Sequence, residues 1–314
     1  MKIVSLFCGA GGLDLGLNQA GHEIIWANDF DADCIETYRK NIGNHAVLGN
    51  IVNIPSEDVP DCDVIVGGFP CQGFSQANRL RFEEDERNRL YLEFLRLVSD
   101  KQPQYFLAEN VRGILSLGGG AAIQKIEDDF SNAGYRVEKK LFNLADYGVP
   151  QTRQRVIIAG TRKDLPDTLN FGFPAATHSK IESGNLKAWV SIGEALKKIP
   201  EPSEDCSLIN HICSKYKVTN RNFTGHRRTD PNKPSPTILA RGNGGGGVCA
   251  LQHPNNHRRM SVREQAIIQT FPMDFEFSGK LNSCYRQVGN AVPVLFGKHL
   301  GESLSALSAA KKAA

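Results

Sequence analysis

A doubly wound, mostly parallel α/β sheet with helices on both faces, joined to a second, smaller irregular domain, is the fold class predicted by the 314-residue sequence. Three observations predict it. Short apolar runs alternate regularly with amphipathic segments through the first half. After about Phe173 the texture changes, as proline, glycine and asparagine take over and long periodic runs disappear. Near Ser261 helical periodicity resumes, so the chain returns to its first domain.

Each element has its own signal. "KIVSLF" reads as a short buried strand, "GAGG" as a turn, and "LDLGLNQAG" as the helix that the turn opens. "EIIWAND" is a second strand, and "DADCIETYRKN" a helix closed by Gly43. "DVIVGGF" is a strand, "NRLYLEFLRLVSDK" an amphipathic helix, and "QYFLAEN" another strand. "AAIQKIEDDFSNAGY" is a helix stopped at Gly134, followed by strands "YRVEKKLFN" and "QRVIIAGT". In the irregular part, "VSIGEALKKIP" is a helix and "PSPTILARGNGGGGVCAL" a strand, glycine loop and strand. "SVREQAIIQTF" is a helix, with Ser261 and Glu264 spaced as a capping box. The segment from Gly289 ends the chain as a helix.

Composition narrows the class. The chain is 40% hydrophobic and 23% charged, which is ordinary for a globular protein. No apolar run approaches the roughly 18 residues of a membrane span, and the first residues do not form a signal peptide, so a cytoplasmic protein is expected. Eight cysteines lack any CxxC pair, which leaves free thiols as the expectation. Cys206, His211 and Cys213 come nearest to a metal cluster, but no second pair matches them. Net charge is only +3, yet it is unevenly spread. Between His211 and Arg263 lie Lys215, Lys217, Arg221, Arg227, Arg228, Lys233, Arg241, Arg258, Arg259 and Arg263, against the single acid Asp230. Such a stretch is either a solvated face or a surface for phosphates.

Four places could carry chemistry. Cys71 stands behind Pro70, just past the end of an apolar strand, where ligands bind in α/β proteins. A packing cysteine belongs inside the run, so a nucleophile, a metal ligand, a redox thiol and an idle thiol all stay open. In "FCGAGG", Gly9, Gly11 and Gly12 let backbone amides approach a ligand at a helix N-terminus. Asp29, at the end of the next strand, is placed to hold a ribose. The spacing is not GxGxxG, so a nucleoside without a pyrophosphate fits better than a dinucleotide. Glu109 ends the strand "QYFLAEN", either as a proton donor in the shared crevice or as a cap for the following turn. Arg153 and Arg155 alternate along a presumed strand so that both could face one side, as paired donors or as a surface ladder.

Together these blocks resemble the DNA (cytosine-5)-methyltransferases of the bacterial restriction–modification type. They run in that family's order over nearly the whole chain: "FCGAGG" (7–12), "NDF" (28–30), "GGFPCQGFS" (67–75), "AENV" (108–111), "QTRQR" (151–155), "SVREQAIIQTFP" (261–272) and "QVGNAVPV" (287–294). The resemblance implies an S-adenosylmethionine-dependent, Rossmann-like catalytic domain over 1–175 and 264–314, with a target-recognition domain over 176–263. It implies that Cys71 adds to C6 of a cytosine flipped out of double-stranded DNA, so that C5 becomes nucleophilic enough to take a methyl group. Glu109 would contact N3 and the exocyclic amine, Arg155 would hold O2, and Arg153 would help fix the catalytic loop and the carboxylate. The base that removes the C5 proton is not named by the sequence.

For the methyl donor, the resemblance places Phe7 on the adenine, Gly9, Ala10, Gly11 and Gly12 along the methionine part, and Asp29 on the ribose. Phe30 covers the other adenine face, where the family often has tryptophan. Asn50 stands where the family usually has an aspartate accepting from the adenine amine, and Ile51, Gly68, Pro70, Leu90, Asn290 and Ala291 complete the pocket. The polar segment from Gln72 to Arg89 resembles the family's mobile loop. Ser75, Arg227, Arg228, Thr237 and Arg241 are the expected DNA contacts, with Arg241 as the candidate reader of guanine. No metal is expected. The protein is expected to act as a monomer without regulatory extensions, with a separately encoded endonuclease as its partner in modification and restriction. A tRNA substrate is the alternative within the family, although its Cys-Phe-Thr signature is replaced here by "NFT" at 222–224. An NAD-dependent dehydrogenase and a catalytically dead DNA-binding module are the readings from other classes.

Overall fold

The computed structural model describes residues 1–70, 86–202, 206–212, 226–240, 250–255 and 258–313. Its centre is a seven-stranded sheet in the order β3-β2-β1-β4-β5-β7-β6. The strands are β1 (Lys2–Leu6), β2 (Glu23–Asp29), β3 (Ala46–Leu48), β4 (Val64–Gly67), β5 (Tyr105–Val111), β6 (Tyr135–Asn143) and β7 (Gln154–Arg162). Pairing is parallel from β3 through β5, while β7 runs antiparallel to both β5 and β6. Strand order reverses at β1, which lies between β2 and β4, and the crevice of a doubly wound sheet opens at such a point.

The inner strands are buried on both faces because successive residues feed two different cores. Ile3, Val64, Val66, Tyr105, Leu107 and Ile157 join one cluster; Val4, Ile65, Phe106, Ala108 and Ile158 join the other. On the first face lie α1 (Gly12–Gln19), α2 (Ala32–Asn41) and α8 (Val294–Ala313); on the second lie α3 (Glu86–Lys101) and α4 (Ala121–Asn132). Asp31 caps α2 by accepting from Asp33 N at 3.0 Å and Cys34 N at 3.4 Å. Helices α1 and α8 touch at backbone distance: a Cβ on Gly16 would lie 2.3 Å from Val294 O.

A third cluster gathers Ile192, Leu196, Ile238, Leu251 and Met260 with Ala266, Phe271, Tyr285, Val288 and Ala10. It includes α5 (Ile192–Leu196), α6 (Val262–Ile268) and α7 (Leu281–Asn290), and α6 spans the expected boundary at 263/264. The Ser261–Glu264 capping box forms as its spacing predicts. Two short pairs, β8 (His178–Ser179) with β9 (Lys187–Ala188) and β10 (His226–Arg227) with β11 (Ala250–Leu251), are the only further sheets among the described residues. The sequence reading did not anticipate β3 or α7. Of the expected strand–loop–strand at 234–251, only an isolated bridge from Gln151 to Ser235 and the two residues of β11 form among the described residues.

Candidate functional site

The parallel registers bring three sequence blocks to one edge. Leu6 lies opposite Gly67, and Gly67 opposite Ala108, so the glycine turn, the segment Gly68-Phe69-Pro70 and Glu109 leave the sheet side by side. Glu109 and Arg155 form an ion pair through Oε1 and Nε, with side chains only 13% and 11% exposed. Their strands place them diagonally, since Glu109 opposes Ile157 and Val111 opposes Arg155. The Arg155 fork is steadied by its own neighbour, as Nη1 donates to Gln154 O at 2.7 Å. Gly68 leaves room for the carboxylate: a Cβ there would sit 2.9 Å from Glu109 Oε2.

Asn110, which sequence reasoning did not single out, ties the two strand ends together. Its buried Nδ2 donates to Phe69 O at 3.1 Å, fixing the peptide that leads through Pro70 toward Cys71. The available signal was an amide directly after Glu109 at a buried strand end, where it must find a partner. Cys71 and Ser75 themselves lie outside the described residues.

The second part of the crevice is the turn after β1. Phe7, Gly9 and Gly11 all have left-handed backbone, with φ of 55°, 54° and 83°. For Phe7 that conformation is strained, and strain of this kind concentrates at ligand sites. A Cβ on Gly9 would meet nothing within 4 Å, whereas one on Gly12 would strike Val292 O at 2.3 Å and come within 3.3 Å of Ala291 Cβ. Open space lies above Gly9, and the C-terminal segment packs under Gly12. Asp29 braces the turn: Oδ2 accepts from Gly9 N at 2.8 Å and Oδ1 from Asp31 N at 2.9 Å. Burial raises the Asp29 pKa, and these amide donors oppose the rise.

Phe30 projects into solvent at 73% exposure, next to Asp29. Asn28, another residue missed in the sequence, donates from Nδ2 to Val47 O and Gly49 O at 3.0 and 2.9 Å and so fastens the loop that carries Asn50. Asn50 is exposed and its Oδ1 accepts from Val52 N at 3.2 Å, capping a short 3-10 turn over the buried Ile51. Phe7 and Leu90 border the same core layer as Ile51. Ala10 and Ala291 are buried, and Asn290 is exposed at the end of α7.

The arginine pair departs from expectation. Arg153 precedes β7 and follows tight turns, with Gln151 N donating to Val149 O and Arg153 N to Gln151 O, so strand alternation does not apply to it. Its guanidinium is buried; Nη1 donates to Ile238 O at 3.0 Å and Nη2 to Gly289 O at 3.1 Å. Burial, with Arg155 nearby, pushes its pKa down to about 9. Arg155 faces Glu109 while Arg153 faces Ile238 and the last turn of α7, so the two do not act as one fork.

The cation-rich stretch also divides. Arg258 forks onto the buried Glu264 with two contacts of 2.8 Å and reaches Glu201 at 2.9 Å. Arg259 is buried over the Tyr285 ring, 3.5 Å from its centroid. Arg263 is buried and donates to the carbonyls of Ile209, Pro272 and Phe275 at 2.8, 2.9 and 2.6 Å. These three are internal struts, which corrects the reading of the whole stretch as a phosphate-facing surface. Lys233 pairs with Asp230 at 3.1 Å, and Arg228 is exposed. Arg227 belongs to β10, while Lys215, Lys217, Arg221 and Arg241 lie outside the described residues. Thr237 Oγ1 donates to Thr152 O at 3.3 Å. His211 is occupied by Ser261 Oγ at 2.8 Å and Pro200 O at 2.7 Å, and no group of three metal-capable side chains occurs among the described residues.

The model of the family described as C-5 cytosine-specific DNA methylase matches residues 1–306. The Type II methyltransferase M.NgoFVII of Neisseria gonorrhoeae is 43% identical over 316 residues, covering 93% of this chain and 83% of that protein. M.FnuDI of Fusobacterium nucleatum, also a Type II methyltransferase, is 39% identical over 342 residues, covering 99% of this chain and 97% of its own. Among solved structures, the S. pombe Dnmt2 methyltransferase shares the fold at a TM-score of 0.68 and 21% identity, covering 99% of both chains. A prophage-encoded E. coli protein described as a DNA modification methyltransferase has a TM-score of 0.74 at 24% identity, covering 98% of this chain and 99% of that one. No helix among the described residues is long and apolar enough to cross a membrane. The glycine turn, the Glu109–Arg155 pair and these matches together place the chain in the C-5 cytosine-specific DNA methylase family, as a DNA methyltransferase acting at cytosine C5.

Proposed function

We propose that the protein methylates C5 of a cytosine flipped out of a specific double-stranded DNA sequence, through a covalent bond between Cys71 and C6 of the ring. The observation that carries this reading is the Glu109–Arg155 pair at the end of β5, with Gly68 making room for the carboxylate and Pro70 leading directly to Cys71. Addition of the Cys71 thiolate to C6 pushes electron density toward N3 and O2. Glu109 donates a hydrogen bond or proton at N3, and the Arg155 guanidinium stabilises the charge at O2. C5 would then take the methyl group from the donor's sulfonium, which leaves as the neutral thioether. A base takes the C5 proton, the S–C6 bond breaks and N3 gives its proton back to Glu109, returning the thiolate and a methylated ring. Arg153 supports this site from behind, through the backbone it holds. Duplex DNA hides C5 and C6 in the base stack, so extrusion of the base precedes the chemistry.

The part of the crevice at the turn after β1 fits S-adenosylmethionine. A Cβ on Gly9 would meet no atom, the Gly9 amide is held by the Asp29 carboxylate, and Phe30, next to Asp29 in the chain, offers an exposed ring. Asp29 would hold the ribose hydroxyls, Phe7 and Phe30 the two faces of the adenine, and Gly9 to Gly12 the methionine carboxylate. Asn50 and Ile51, with Gly68, Pro70, Leu90, Asn290 and Ala291, would close the pocket. When bound, the group supplies a methyl made electrophilic by its sulfonium. Residues 176–263 serve target recognition, with Ser75, Arg227, Arg228, Thr237 and Arg241 contacting DNA, and 1–175 with 264–314 carry catalysis. The names of the Type II relatives support a modification role opposite a separately encoded endonuclease. The protein acts as a monomer in the cytoplasm, where DNA and the methyl donor are both present.

The test is covalent trapping on duplex DNA in which 5-fluorocytosine replaces cytosine, with tritiated S-adenosylmethionine. Fluorine at C5 cannot leave as a cation, so the adduct should survive denaturation, map to one sequence, and vanish in Cys71→Ala. An adduct on fluorinated tRNA alone would move the substrate to RNA. Failure to trap on either, in protein that binds the donor, would refute the Cys71 mechanism.

A further inference from the structure

We propose that two buried side-chain bridges, Gln151–Gln269 and Arg153, couple target-DNA binding to methyl-donor binding by fixing the backbone of Ile238 to the last turn of α7. This inference rests on the assignment of segment 235–240 to target recognition and of Asn290 and Ala291 to the donor pocket.

The first bridge starts at the amide of Ile238, which donates to Gln151 Oε1 at 2.8 Å. Gln151 Nε2 donates to Gln269 Oε1 at 2.7 Å, and Gln269 Nε2 donates to Val288 O and Ala291 O at 2.6 and 3.1 Å. Arg153 makes the second bridge between Ile238 O and Gly289 O. Both polar groups of one recognition-segment residue are thus held by side chains whose other ends satisfy the carbonyls left open where α7 terminates. Gln151, Gln269 and Arg153 are all buried, so these bonds act in a medium of low dielectric and leave little slack.

The two segments also touch directly. A Cβ on Gly289 would fall 2.4 Å from Ala240 N, so this position lets the recognition segment lie on α7 at backbone distance. Ser235 N donates to Pro150 O and Thr152 N to Ser235 O, both at 2.9 Å, stitching the same segment to the turn that carries Gln151 and Arg153. Beyond α7 the contact continues: Ala291 and Val292 pack against Gly12 of the donor turn. A shift of the recognition segment onto DNA therefore moves the floor of the donor pocket. Apolar side chains of the same size would fill this space equally well. What the glutamine pair adds is a fixed relation between the Ile238 amide and the Val288 and Ala291 carbonyls.

The experiment is calorimetric titration of S-adenosylhomocysteine into the full chain, alone and saturated with a short duplex containing the mapped trapping site. Wild type should bind about fivefold or more tightly with DNA present, while Gln269→Leu and Gln151→Met bring that ratio to about one and change the DNA-free affinity by less than about threefold. Thr152→Val, which removes a contact of the same segment outside the bridges, should keep the wild-type ratio. A wild-type ratio of one overturns the proposal. So does a wild-type ratio in either bridge variant that still melts cooperatively, since a merely structural network would change melting and not coupling. Failure of wild type to bind S-adenosylhomocysteine or DNA at all would refute the underlying assignment, and the inference with it.

Discussion

The ends of the parallel strands and the segment from Pro231 to Arg263, the recognition side of the proposed function, are built on different principles. At the strand ends, functional candidates are delivered by register: Leu6 beside Gly67 beside Ala108 sets the glycine turn, the segment Gly68-Phe69-Pro70 and Glu109 in one row. On the recognition side little regular structure intervenes among the described residues, and polar side chains hold the backbone instead. Arg263 alone binds three carbonyls, and Gln151 and Arg153 bind the amide and the carbonyl of Ile238. In the first region a charged side chain is free to serve chemistry because hydrogen-bonded strands hold the chain. In the second, many charged side chains are consumed in holding it.

The largest expected effect separates these roles. Glu109→Gln keeps the shape of the side chain but removes the acid, and single-turnover methylation should slow by about 10²-fold or more, with DNA and donor affinities little changed. An unchanged rate would show that the strand-end carboxylate is structural, as the recognition-side charges are. The converse variant is Arg263→Met. It removes the side-chain donors of Ile209 O and Phe275 O and one of the two donors of Pro272 O, and should cost about 2 kcal/mol of stability in chemical denaturation. Arg228→Gln, at an exposed position, should instead stay within about 0.5 kcal/mol in stability while lowering the salt dependence of DNA binding by about one unit of slope. If Arg263→Met altered only the salt slope, the distinction between struts and contacts would collapse.

A smaller effect is expected at Gly68. Alanine there would press its Cβ to within 2.9 Å of Glu109 Oε2, and the carboxylate cannot swing away without loosening its pair with Arg155. The rate of the chemical step should fall about tenfold, because displaced catalytic groups lose orientation, while the melting temperature moves by a few degrees at most. Wild-type turnover in Gly68→Ala would mean that the Glu109 position tolerates displacement and is not set by the strand register.

How much could be read from the sequence follows the same division. Apolar runs of strand length and helical periodicity are local signals, and they located β1, β2, β4, β5, β6 and β7 together with most helices. The reversal of β7 was not legible, since strand direction depends on which neighbour a strand meets. β3 has three residues and α7 is polar on one side with an NSC start, so neither produced a recognisable run. Asn28, Asn110, Gln151 and Gln269 fall inside the quoted blocks, but their roles were not legible because a buried amide looks like a surface one until its partner is known. Gln269 meets Gln151 across 118 positions of sequence. Charge counting failed for a related reason: composition records Arg258, Arg259 and Arg263 as free cations, although each is enclosed by groups brought from elsewhere in the chain.

The smallest predicted effect probes the strand-end region from beneath. Asp14, in the first turn of α1, is buried and accepts from Ser5 Oγ at 2.7 Å and Tyr38 Oη at 2.9 Å. Burial raises its pKa from 3.8 to about 6, against the lowering effect of those two hydroxyl donors. Between these values the folded chain holds a proton that the unfolded chain has already released, so this group makes stability fall as pH rises through the interval. Above it, the buried charge remains as a constant penalty, offset in part by the helix N-terminus. Asp14→Asn cannot titrate, and its melting temperature should therefore lose a few degrees less than that of wild type between about pH 4 and pH 6. Parallel curves for the two proteins over that range would mean that the hydroxyl pair and the helix dipole already hold Asp14 ionised at no net cost. The strand-end region would then match the recognition side after all, as a place where buried charge is fully compensated by the groups around it.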